Sequence, residues 1–242
     1  INEAHLGLAR IAYEWNDLET AARHAPLALQ LAWQYDTVID RYILCEIFLA
    51  RLKLAQGDVS GAAAILAQSE QSARQRNFVF RIPEIVAAQV VILLRQGNLA
   101  AAERLAQTRD LPISRARVCL AQGDTSTALV ELEPLRQQVE AKGLQDHLLR
   151  VMVLQAVALH DQGAVENALQ QLSEVLARAE PGGFIRLFID EGLPMKHLLQ
   201  EAASRGISPD YIRRLLAAFA PTRAKQSSQS TGIEALSERE LE

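Results

Sequence analysis

The chain has 242 residues, 49% apolar and 22% charged, with a formal net charge of −4. That balance gives no global pull toward nucleic acid or an anionic membrane surface. No apolar run reaches the roughly 18 residues of a membrane span, yet the length is enough for a sizeable core, in one elongated unit or two compact ones.

Alanine fills 38 of the 242 positions. With leucine and few β-branched runs, this favours helices that pack closely. Ile1 is not a start methionine and no signal-peptide pattern follows it, so the chain is expected to begin inside a longer protein. Cys45 and Cys119 stand in helical apolar stretches without CxxC spacing. They are expected to be buried free thiols, in keeping with a reducing cytoplasm.

Five related strings recur: YEWNDLETAA (13–22), LAQGDVSGAA (54–63), LRQGNLAAAE (94–103), LAQGDTSTAL (120–129) and HDQGAVENAL (160–169). Taking Asn16, Gly57, Gly97, Gly123 and Gly163 as references, the spacings are 41, 40, 26 and 40. Periods of this size mark arrays of helical pairs, and the short one points to a deletion. Five residues after each reference stand Ala21, Ala62, Ala102, Ala128 and Ala168. At this alanine frequency, chance gives that coincidence roughly one time in ten thousand. Seven residues before each reference stand Ala9, Ala50, Val90, Ala116 and Ala156, and nine after stand Ala25, Leu66, Ala106, Leu132 and Leu172. Offsets of five and nine share one helix face, where small side chains let a second helix approach.

Each reference glycine suits the left-handed end of a helix. Asp17, Asp58, Asn98 and Asp124 follow as N-caps, whereas Ala164 predicts a weaker cap in the fifth copy. First helices are expected near 2–15, 37–56, 80–96, 112–122 and 144–162. Their partners are expected near 17–35, 58–76, 98–108, 124–142 and 164–179. One pair cannot bury its apolar face alone, so the pairs must stack into a right-handed superhelix with a concave side. The expected fold is therefore all-α, with an array over 1–180.

Beyond the array, Pro181-Gly182-Gly183 stops the last repeat helix. FIRLFID has period-two and β-branched features, so a strand is conceivable. The preferred reading is an irregular segment that packs Phe184, Leu187 and Phe188 on the end of the stack. Helices opening at Pro194 and Pro209 complete a C-terminal helical cap over 181–220. Asp190-Glu191 precedes the first of these helices and is expected to serve its N-terminal dipole. Residues 221–233 are Ser/Gln-rich and read as a linker. In EALSERELE (234–242), Ser237 and Glu240 form a capping box with almost no helix after it.

The small residue at −7, the glycine and the alanine at +5 resemble the framework of the tetratricopeptide repeat. The period near 40 and the varied residues at −4 (Ala12, Lys53, Leu93, Cys119 and Leu159) depart from that family. EALSERELE looks like the start of a LuxR-type helix-turn-helix domain, through Leu236, Ser237, Arg239, Glu240 and Glu242. AEPGGFIRLFIDEGLPMKHLL resembles the element after the repeats of MalT-like, ATP-dependent LuxR regulators, and WNDLETAARHAPLALQLA resembles their repeats. The resemblance implies an effector-sensing and protein-interaction region of a bacterial transcriptional activator. ATP would sit on a missing N-terminal module, and DNA would be bound only through a missing C-terminal domain. No phosphate-binding loop is present in the chain itself, and no cofactor is expected on it.

Enzyme chemistry has little support. The five histidines lack HExxH or other ligand spacing, and no GxSxG occurs. The sharper candidate is the groove. The resemblance points the −6 position inward, where Arg10, Arg51 and Arg117 stand beside Val91 and Val157. Tyr13 and His160 follow at −3, and Arg95 and Arg150 border the same surface. These residues suit an anionic or polyhydroxylated inducer, or the carboxylates of a regulatory protein. The competing reading is a solvated face on which the arginines pair with nearby Glu and Asp. Self-association is a further use of such a surface. A general scaffold for a partner protein, with no switching role, is the alternative function.

Overall fold

The turns carry the architecture. Asn16, Gly57, Gly97, Gly123 and Gly163 all adopt positive φ, between 63° and 88°. After each of them the chain closes as a Schellman motif. In the second repeat the Gly57 amide donates to the Leu54 carbonyl and the Asp58 amide to Lys53. The same six-to-one bond reaches Ala12, Leu93, Cys119 and Leu159. The −4 residue thus accepts through its backbone, which is why its side chain is free to vary.

The computed structural model describes residues 1–35 and 40–219. Ten helices form five pairs: α1 (Asn2–Glu14) with α2 (Leu18–Tyr35), α3 (Arg41–Ala55) with α4 (Val59–Gln75), α5 (Ile82–Arg95) with α6 (Leu99–Gln107), α7 (Pro112–Gln122) with α8 (Thr125–Ala141), and α9 (Gln145–Asp161) with α10 (Val165–Ala179). Three more follow: α11 (Arg186–Ile189), α12 (Leu193–Ser204) and α13 (Pro209–Ala218). Among the described residues there is no strand. None of these helices is long and apolar enough to cross a membrane. Consecutive helices pack on one another along the array, and first helices also touch the first helix of the next pair. This is a tetratricopeptide-like superhelix. The 26-residue period is taken up by α6 and α7, of 9 and 11 residues. The start of the second first helix, the linker over 221–233 and the EALSERELE segment lie partly or wholly outside the described residues.

The alanine register is the seam of the stack. Ala21, Ala62, Ala102, Ala128 and Ala168 have no exposed surface, and the −7 and +9 residues are buried as well. Of the two thiols, Cys45 is buried, but Cys119, on the short α7, is only partly so. Burial pushes the Cys45 thiol up to about 11, so it stays protonated near neutrality.

The caps follow the side chains available. Asp17, Asp58, Asn98 and Asp124 accept from the amides of Thr20, Gly61, Ala101 and Thr127 at 3.0, 2.8, 3.2 and 3.0 Å. Ala164 makes no side-chain cap on α10. Ala164→Asp should therefore add about 0.5–1 kcal/mol, read as a higher urea midpoint with an unchanged slope. An unchanged midpoint would show that the α10 amides are already satisfied.

Residues 184–191 hold no strand, and the segment expected to be irregular carries one helical turn, α11, between the irregular 184–185 and a turn at 190–191. Phe188 and Leu187 are buried on α11, and Phe188 meets Tyr211 edge-on at 5.9 Å and 89°. The spacing of Phe184, Leu187 and Phe188 is that of one helical turn, and burial of Leu187 and Phe188 against α9, α12 and α13 decides the conformation. The turn does more than close one end of the stack, because α11 also touches α1.

Candidate functional site

The two ends of the array meet over the concave face. The Ile185 amide donates to the Glu14 carbonyl at 2.7 Å, and Trp15 Nε1 donates to the Gly182 carbonyl at 2.8 Å. Gly183 has φ +67°, and a Cβ there would sit 3.2 Å from Trp15 Nε1. Both the backbone conformation and the indole contact therefore favour glycine.

This seat delivers Asp190 and Glu191 into the groove. Asp190 Oδ2 accepts from the Tyr13 hydroxyl at 2.7 Å and from Arg51 Nη2 at 3.1 Å. Its Oδ1 accepts from Arg186 Nη1 at 3.0 Å, and its carbonyl accepts from Arg95 Nη2 at 2.6 Å. Glu191 takes Arg117 with both oxygens, Oε1 from Nη2 and Oε2 from Nε, the latter at 3.3 Å. Glu14 holds Arg51 Nη1 at 3.2 Å and Arg150 Nη2 at 3.5 Å. Arg51 and Arg186 lie over the Tyr13 ring at 4.3 and 5.1 Å, where cation–π attraction adds to the ion pairs. All five first helices thus supply a side chain to one hub: Tyr13 and Glu14, Arg51, Arg95, Arg117, and Arg150.

The hub is sheltered. The side chains of Arg186, Glu191 and Glu14 are 10%, 13% and 17% exposed. Burial pushes the Tyr13 phenol well up, so it remains a donor to Asp190. Burial works against the charges of Arg51 and Arg117. For Arg51 it is outweighed by Tyr13, Asp190 and Glu14, and for Arg117 chiefly by Glu191, so both are held above the usual arginine range. Arg150 is different. Burial and the neighbouring Arg51 charge hold it below the usual range, because Glu14 answers them only in part.

A family model described as MalT-like TPR region matches residues 2–205. The chain belongs to that family. Comparison with curated proteins gives no match.

Within this MalT-like TPR region, five of the seven expected groove residues converge: Tyr13, Arg51, Arg95, Arg117 and Arg150. Arg10 does not. It is exposed and lies beside Asn2, Glu3 and Arg41 at a shallow pocket over Cys45. Tyr13 and Glu14, one helical turn further along α1, reach the hub in its place. His160 also stays apart. Its Nδ1 is buried without a hydrogen bond, 3.5 Å from Asp161 Oδ1. Asp190 and Glu191 do not serve the dipole of α12. Gly192 occupies that N-cap, and both carboxylates are engaged by arginines of other repeats. Arg51, Arg117 and Arg150 do pair with acids, but across repeats in one hub rather than with neighbours on a solvated face, whereas Arg95 is exposed and bonds a backbone carbonyl.

Glu14, Arg186, Asp190 and Glu191 are the residues that sequence reading passed over as site members. A signal existed for the last three. RLFIDE places Arg186 and Asp190 at i and i+4, and Leu187 with Phe188 on the opposite side of one helical turn.

Proposed function

We propose that this chain is the effector-sensing and protein-interaction region of a MalT-like, LuxR-family bacterial transcriptional regulator, cytoplasmic and without catalysis of its own. ATP binding belongs to an N-terminal module and DNA binding to a C-terminal domain, both outside the chain. A small inducer or a regulatory protein engages the concave groove, and the repeat surface also serves self-association. Membership in the MalT-like family supports the regulator assignment.

The observation that carries the sensing role is the hub. Side chains from four of the five first helices meet on the segment that follows the array, and Arg150 of the fifth joins them through Glu14. A ligand that moves any of these arginines changes how that segment is held, and its differential affinity for the two arrangements shifts the population of the whole regulator. Asp190→Asn removes the charge while keeping an oxygen acceptor. In the full-length regulator it should change transcription of a reporter, with or without inducer, by several-fold. A folded Asp190→Asn protein with unaltered reporter output would leave the plain scaffold reading in its place.

A further inference from the structure

The hub is unbalanced in charge. It holds five guanidinium groups, on Arg51, Arg95, Arg117, Arg150 and Arg186, against three carboxylates, on Glu14, Asp190 and Glu191. Among the described residues Arg95 bonds only a carbonyl, and Arg150 makes only the 3.5 Å contact to Glu14. Arg150 is also the most open of the hub's ion-paired arginines, at 40% side-chain exposure against 30%, 23% and 10% for Arg51, Arg117 and Arg186. Two further groups lack partners: Glu14 Oε2 and Arg186 Nε are buried without hydrogen bonds.

We infer that the groove at Arg150, Arg117 and Arg51 binds a small dianion, a phosphate monoester or a dicarboxylate. The excess is two positive charges, which matches a dianion. Guanidinium groups suit either ligand because their planar donors meet two oxygens at once. The repulsion that Arg51 and Arg117 exert on Arg150 is relieved when an anion sits among them. A hydroxyl on the same ligand would supply the donor that Glu14 Oε2 lacks. A polyanion is a poorer match: the arginines converge on one point inside the superhelix, rather than forming the stripe that follows a phosphate backbone. The chain's net charge of −4 opposes one as well.

This assignment rests on the sensing reading, and its test is separable from it. The full 242-residue chain would be titrated with inorganic phosphate and with succinate at pH 7.5, at constant ionic strength against chloride, by calorimetry and thermal shift. At least one probe should bind saturably. Arg150→Ala should weaken that binding at least tenfold with little change in melting temperature, since Arg150 has only one long contact to lose. Arg205→Ala, which breaks a surface pair with Glu166, should leave binding unchanged. Binding of phosphate alone assigns the site to phosphate esters, and binding of succinate alone assigns it to dicarboxylates. No saturable binding of either probe, or equal affinity in Arg150→Ala, overturns the proposal. A reporter that responds to Asp190→Asn while neither dianion binds would retain the sensor and discard only this ligand class. Dianion binding with an unresponsive reporter would keep the site and discard the switch.

Discussion

Phe188→Ala should cost about 3–5 kcal/mol, the range for removing a fully buried aromatic ring. Phe188 has no exposed surface, and its ring packs edge-on against Tyr211 within the core shared by α9, α10, α12 and α13. The ring is also the anchor that aims the next residues. Asp190 and Glu191 follow it within one helical turn, so loosening Phe188 releases their carboxylates from Tyr13, Arg51 and Arg117, in three repeats, together. The loss should appear in urea denaturation of the whole chain. Phe184, only partly buried, should cost less when replaced in the same way. A Phe188→Ala loss below about 1 kcal/mol would mean that α11 is not seated as described.

Glu191→Ala should cost about 2–3 kcal/mol, somewhat below the roughly 3–5 kcal/mol of a fully buried ion pair that loses one member. The discount reflects exposure of 23% for Arg117 and 13% for Glu191. Most of the cost is the stranded Arg117 charge, whose remaining surroundings include Arg51. Two outcomes distinguish this from a packing loss. Adding Arg117→Leu to Glu191→Ala should recover part of the stability, giving a coupling of opposite sign to the single losses. Raising the salt concentration should shrink the difference between wild type and Glu191→Ala. If the double variant is simply the sum of the two singles, the pair carries no coupling and the hub is a set of independent contacts.

The helical stack was legible because its rules act over short stretches of chain. Gly57 ends a helix, Asp58 caps the next and Ala62 admits its neighbour, all within six residues. The same three roles recur at Gly97, Asn98 and Ala102. Even the weakness at Ala164 could be read directly, because a methyl group has no acceptor to offer an amide. The groove was legible in part, since the inward-facing register that the resemblance implies at −6 selected Arg51 and Arg117. It failed at Arg10, which has the same register but stands on the first helix, where Tyr13 and Glu14 reach the hub instead. Arg95 at −2 and Arg150 at −13 reach the same hub from other offsets, because stacking rotates each pair about the superhelix axis.

The sequence alone determined that this chain is a file of helical hairpins with alanine seams, because turns, caps and close helix contacts are settled by residues a few positions apart. Only the tertiary structure decided what the groove contains. Tyr13 and Asp190 are 177 residues apart, Arg51 and Asp190 139, and Arg117 and Glu191 74. No local rule pairs residues at such distances. They meet because the curvature of the whole stack brings α1 back to α11, and because the buried ring of Phe188 fixes where the acidic pair must stand.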